Sequence, residues 1–188
     1  IWGCFNEDDH YNINKIKPKE DGNVNNKIVD EEYYENRQLK SRIKMIDSEV
    51  LVNKTWHKNG QLKSSGQIIN GISSGLYKAW YENGEVKKEL NFKDGKENSL
   101  YKEWFEDGQL KVEQTYKDGK NDGICKHWFI NGQLKSEFNY KEGKKDGTCK
   151  QWHINGQIWM QITFKEGREN GLFKEWYDIF CHISILLT

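Results

Sequence analysis

The chain contains a single proline, Pro18, and no stretch approaching the roughly 18 apolar residues that a membrane-spanning helix needs. With proline nearly absent, its turns have to be built from glycine, of which there are 17. The four cysteines, Cys4, Cys125, Cys149 and Cys181, include no C-x-x-C pair, which argues against a zinc site and against a thioredoxin-like redox centre. Net charge is also missing. The 29 basic and 29 acidic residues cancel, so no global field draws the chain to nucleic acid or to an anionic membrane. Residues 1–32 hold eight acids against four lysines, leaving 25 bases and 21 acids for the rest. That excess is too small and too interleaved to suit a polyanion. The acidic residues match no calcium loop of the EF-hand type, and the sequence brings no carboxylates together in a pocket. No catalytic residue, metal, cofactor or small-molecule substrate is expected.

Hydrophobic residues make up only 35% of the chain, yet aromatics reach 13% and there are eight tryptophans. Such a composition suits many small hydrophobic contacts better than one thick core. The tryptophans carry the main signal. Trp56, Trp80, Trp104, Trp128, Trp152 and Trp176 stand 24 residues apart throughout. The first five begin the same pattern: two further residues, Asn or Asp, Gly, Gln or Glu, an aliphatic, and usually Lys. Gly84, Gly108, Gly132 and Gly156 mark this first turn. A second turn opens at Gly95, Gly119, Gly143 and Gly167 and closes at Gly123, Gly147 and Gly171, with Ser99 in that place once. A fixed period of this length is the mark of a repeat architecture.

Asn-Gly and Asp-Gly between alternating segments predict a hairpin in each unit, closed by a type I′ turn with positive φ at both central residues. A two-residue loop at Asp107-Gly108 pairs Phe105 with Leu110, Trp104 with Lys111 and Lys102 with Glu113. The same register pairs Lys78 with Glu89, Lys126 with Glu137 and Lys150 with Gln161. Three opposite-charge pairs falling into line favour it. A three-residue loop with a glycine bulge would change the parity. One face then carries Phe105, Leu110, Val112 and Tyr116, followed by Phe129, Leu134, Phe138 and Tyr140. The other carries the Trp column, an aliphatic four residues before each Trp, and the Lys–Glu pairs. The expected fold is all-β: an elongated single-layer antiparallel meander of repeated hairpins, each burying its surface against the next.

Both ends depart from the pattern. Residues 1–32 read as a polar, acidic, mobile leader. Residues 33–55 read as a degenerate first repeat or N-terminal cap, with Arg37 where Gly belongs and no clear second turn. Residues 56–175 hold five repeats. Residues 176–188 start a truncated sixth unit and end in the apolar run IFCHISILLT, a capping strand or a reading-frame accident. The chain starts at Ile1 rather than Met, so the expectation is a processed or truncated beginning.

Units such as WYENGEVKKELNFKDGKENSLYKE (80–103) and WFINGQLKSEFNYKEGKKDGTCKQ (128–151) resemble the variant MORN repeat, and more closely the bacterial YwqK-family proteins labelled antitoxins of toxin–antitoxin systems. The resemblance is clear over residues 54–177 and weak over 33–53, with Arg37, Ser99, Trp159 and the tail as departures. It implies a sheet of hairpins with no catalytic residues to carry over, and binding to a cognate toxin protein. Eukaryotic MORN proteins are similarly linked to membrane lipids and scaffolding.

The remaining residues fit a binding protein. His57 and His153 share a repeat position but lie four units, on the order of 40 Å, apart, so a joint metal site is excluded. Cys125 and Cys149 sit in equivalent places roughly 10 Å apart, beyond disulfide reach, and are expected to be free thiols. The candidate binding surface is the recurring aromatic–lysine set Tyr81, Phe105, Phe129, Lys87, Lys111 and Lys135. Cys4, after Ile1-Trp2-Gly3, resembles the lipidation site of a bacterial lipoprotein. That reading puts the protein in the cell envelope, in contact with membrane, its aromatic repeats binding glycan or lipid. The antitoxin reading puts it in the cytoplasm.

Overall fold

The computed structural model describes residues 27–47, 49–171 and 173–176, and among these there is no helix. Sixteen strands form one open antiparallel sheet, and thirteen of them follow one another across it as a meander. The strands Ser99–Trp104 and Leu110–Lys117 make one hairpin, and the same pair recurs as Gly147–Trp152 and Ile158–Lys165. A first strand, Lys27–Tyr33, pairs with Leu39–Met45. Residues 27–32, expected in a leader, therefore belong to the sheet. The stretch 33–55 also has the second turn it seemed to lack. Ile46 N–H donates to Val50 O at 2.8 Å, and Asp47 Oδ1 accepts from the amides of Glu49 and Val50, both at 2.9 Å. A carboxylate here does the work expected of glycine.

The Lys–Glu register is as the charges required. Lys102 lies opposite Glu113, Lys78 opposite Glu89, Lys126 opposite Glu137 and Lys150 opposite Gln161. The turn that produces it is different from the expected one. Phe105 N–H donates to Gln109 O, Gly108 N–H donates to Phe105 O, and only the glycine of this turn has positive φ, at 84°. This is the longer loop closed by a left-handed glycine, with Lys111 as the extra residue of a bulge. Trp104 therefore pairs with Leu110, not Lys111, while Glu103 pairs with Val112. Leu110 and Leu134 move to the Trp face, opposite Trp104 and Trp128. The inner register survives because the longer loop and the bulge offset one another.

The type I′ geometry belongs to the second turn. Asp94-Gly95 and Asp118-Gly119 have φ of 50° and 74°, and of 52° and 79°. These turns are bonded to each other. Gly95 N–H donates to Ser73 O, Gly119 to Glu97 O, Gly143 to Asn121 O and Gly167 to Lys145 O, at 2.8–3.1 Å. On the first-turn edge, Asn59, Asn83 and Asn131 donate Nδ2 to Glu82 O, Glu106 O and Ile154 O, while each Oδ1 accepts an amide of its own turn. Asp107 does only the second of these, because a carboxylate has no hydrogen to donate.

Directly paired residues share a face, and every fully buried side chain among the described residues falls on one of the two. This inner face carries Ile43, Ile68, Leu90, Tyr101, Val112, Cys125, Cys149 and Ile162. Leu90, Tyr101 and Val112 form its centre, flanked by Tyr77, Phe92 and Tyr116. The rings meet edge to face, Tyr77 with Phe92 at 6.5 Å and Tyr101 with Tyr116 at 6.2 Å.

A third left-handed position lies where each unit's second turn rejoins the sheet. Gly75, Gly123, Gly147 and Gly171 occupy it with φ of 71–115°, and Ser99 occupies it with φ of 86°. A side chain there is strained by roughly 1–2 kcal/mol. Ser99→Gly is therefore expected to raise stability by about 0.5–1 kcal/mol once the looser unfolded chain is counted. Gly123→Ser should lower it by a similar amount, both read as shifts in urea midpoint at constant slope.

Candidate functional site

The six residues singled out from the sequence lie along the rim of the first turns, and the structure puts them to use within the sheet. The ammonium of Lys87 stands 5.5 Å from the ring centre of Tyr81, Lys111 is 5.8 Å from Phe105, and Lys135 is 5.6 Å from Phe129. Each is a cation–π contact between residues held side by side by the bulge. Lys111 also bonds Glu103 at 2.7 Å. Tyr81 donates its hydroxyl to Trp104 O at 2.7 Å, and burial raises its pKa above the ordinary tyrosine value. Tyr34 and His57 hold the same place and donate to Trp56 O and Trp80 O at 2.8 and 2.9 Å. At Tyr34, His57 and Tyr81 this first-turn position thus ties one unit to the next, whereas Phe105 and Phe129 hold it without a polar tip. Sequence reasoning grouped His57 with His153 and missed this tie, although the shared trait, a ring with a polar tip, was in view at Tyr34, His57 and Tyr81.

The opposite, outer face presents three parallel rows. The middle row runs unbroken across the sheet by register: Lys78, Glu89, Lys102, Glu113, Lys126, Glu137 and Lys150. Ion pairs form within hairpins, at 2.5 Å for Lys78–Glu89, 3.5 Å for Lys102–Glu113 and 3.6 Å for Lys126–Glu137. The alternation cancels charge locally, so this face offers no field to a polyanion. On one side lies the Trp row, with Trp80, Trp104, Trp128 and Trp152 set against Val86, Leu110, Leu134 and Ile158. Trp56 begins that row under the guanidinium of Arg42, and Trp176 ends it 39% exposed. On the other side Leu76, Leu100 and Ile124 recur at 45%, 40% and 48% exposure. These are the aliphatics four residues before each Trp, and they are uncovered.

Sequence comparison assigns the units. The family described as MORN repeat variant matches residues 74–94, 97–118, 121–142 and 145–166. These are MORN-variant repeats. No curated protein shows a significant match to the chain. Each matched MORN-variant repeat runs from the left-handed bulge position through the first turn to the second turn. The hairpin before them, Val50–Trp56 with Leu62–Ile69, follows the same plan outside the matched span.

Among the described residues no group of three or more His, Cys, Asp or Glu could hold a metal ion, and Cys125 and Cys149 are buried thiols outside any disulfide. Cys4 lies outside the described residues. One titratable cluster remains, in the third MORN-variant repeat. Cys125 Sγ donates to Gln114 Oε1 at 3.2 Å and lies 3.3 Å from His127 Nε2, and His127 meets Phe138 edge to face at 6.4 Å. Burial, followed by the charge of Lys135, holds the His127 imidazole below the ordinary histidine value, with Glu103 opposing. The cluster is packed rather than open to a substrate, Cys125 being 4% exposed.

The sign of the pH effect follows. The unfolded chain takes up a proton at His127 at the ordinary value, before the folded chain does, so stability falls as pH drops below that range. The loss stops once the folded imidazole titrates as well. Urea unfolding from neutral pH to about pH 5 is expected to show this decline, and His127→Gln should make the profile flatter. A profile unchanged by the substitution would remove His127 as its source.

Proposed function

We propose that this chain is a non-catalytic scaffold that binds another protein through the outer face of its sheet. The observation that carries this reading is the recurrence of Leu76, Leu100 and Ile124, each nearly half exposed, beside a row of alternating lysines and glutamates. Protein interfaces combine an apolar centre with a polar rim, and charge alternation fixes register with a partner more than it adds affinity. The resemblance of the units to YwqK-family antitoxins makes a toxin protein the partner to test first. Its inhibition would come from occupancy, one long face covering the partner with many shallow contacts and no chemical step.

The test is co-expression with the protein encoded by the neighbouring gene, followed by co-purification and a binding titration. Leu100→Glu and Ile124→Glu place charge in the apolar row at positions exposed enough to tolerate it. Each is expected to weaken the complex by about 1–2 kcal/mol, or roughly tenfold in Kd. Lys87→Ala, on the inner rim, is expected to change it little. Absence of a complex, or a complex indifferent to both glutamates, would overturn the reading.

A further inference from the structure

The inner face has a cavity where the hairpin before the matched repeats meets the first of them. It measures about 290 Å³ and opens between the strands around Asn53 and Ser64 and the ring of Tyr77. Its origin is legible residue by residue. Gly66 stands where successive units place Leu90, Gln114, Phe138 and Ile162, and Asn53 stands where they place Tyr77, Tyr101, Cys125 and Cys149. The backbone of Gly66 does not need a glycine for its conformation. It needs the space, because a Cβ there would come within 3.0 Å of the Tyr77 ring.

What lines the hole is mostly uncharged and rich in both donors and acceptors. Ser41, Thr55, Ser64 and Ser74 contribute hydroxyls, and Asn53 and Gln67 contribute amides. Ser41 and Ser64 are themselves buried, 7% and 8% exposed. Thr55 and Ser64 share a hydrogen bond of 2.6 Å. The Oδ1 of Asn53 is buried and has no hydrogen-bond partner among the described residues, a condition that calls for a reason. Asn121 Oδ1 is in the same condition but does not line this cavity. Tyr34, Tyr77 and Phe92 supply flat apolar walls. Charge is confined to Lys63 and to the Glu32–Lys40 ion pair, 3.3 Å long and half exposed.

We propose that this cavity is a binding site for one uncharged sugar ring. Hydroxyls and amides that both donate and accept match a polyol. Aromatic walls match the C–H faces of a pyranose, and a lining whose charge is limited to Lys63 and the Glu32–Lys40 pair suits a neutral ligand better than a phosphate or a carboxylate. The volume is at the lower end for small-molecule sites and suits a single ring better than a peptide segment or an acyl chain. The site is separate from the outer face and does not depend on a protein partner being bound.

The test is an NMR titration of the full chain with the methyl glycosides of glucose, galactose and N-acetylglucosamine, with adenosine as a rival aromatic ligand. Chemical-shift changes are expected for at least one glycoside, centred on Ser41, Asn53, Ser64, Gly66 and Tyr77, with a Kd on the order of a millimolar for a ligand this small. Asn53→Leu, which fills the cavity and removes the amide, is expected to abolish binding. Ser64→Ala, which removes a hydroxyl without adding volume, should weaken binding about tenfold in a protein whose spectrum shows it still folded. The proposal is overturned by glycoside shifts that do not exceed those of a control polyol, by shifts centred elsewhere, by affinity unchanged in Ser64→Ala, or by adenosine binding where the glycosides do not.

Discussion

A sheet with no second layer over it among the described residues must hold its hairpins together at their edges as well as along their strands. Here the second-turn glycine of each matched repeat donates its amide to the unit before, from Gly95 to Ser73 through Gly167 to Lys145. That bond requires the turn to present the glycine N–H sideways, which a two-residue loop with both residues left-handed does. The first-turn edge answers with asparagine, whose amide closes its own turn and reaches the next carbonyl. The 24-residue period follows from these demands. Each unit needs one loop of each kind and strands long enough to lay the same residues beside their counterparts.

Once the units are in phase, the two faces separate by chemistry. The inner face collects rings and aliphatics, with the polar tips of Tyr34, His57 and Tyr81 tying unit to unit at the first turns. The outer face collects charges that alternate because glutamates from one strand lie between lysines from the next two. A thin sheet of this kind converges no groups for chemistry. It offers surface instead, and at one end, where Gly66 replaces a larger side chain, a hole of small-molecule size. A broad face and a confined cavity suit different ligands, and in this sheet they look in opposite directions.

The architecture was readable from the spacing of Trp and Gly, and the strand register from the three Lys–Glu pairs. The turn types were exchanged. Asn-Gly favours a type I′ loop in general, but here the asparagine side chain is needed at the third position of a longer turn, where its φ stays negative and only the glycine is left-handed. Asp118 and Glu142 carry the positive φ instead, with φ of 52° and 49°; Asp-Gly is a type I′ signal wherever it stands, but nothing local in a Lys-Glu-Gly run announces one. The same miscount sent Leu110 to the wrong face. The strand from Lys27 was hidden by acidic composition, since Glu31 is held by Arg42 at 2.6 Å, a contact no window of sequence contains. The cavity was hidden for another reason. Gly66 falls outside the repeat's turn positions, and only its place in mid-strand beside the Tyr77 ring shows what its missing side chain leaves open.

Turn-to-turn bonding is the claim on which the rest stands, and amide hydrogen exchange at the second-turn glycines tests it most directly. In an isolated type I′ hairpin the amide of the second loop residue faces water. In this sheet the amides of Gly119 and Gly143 are bonded to Glu97 and Asn121 of the preceding unit. The account predicts that they exchange far more slowly than amides of an unstructured peptide, with protection approaching that of neighbouring strand residues. Exchange at free-peptide rates, in a protein whose strand amides are protected, would contradict it.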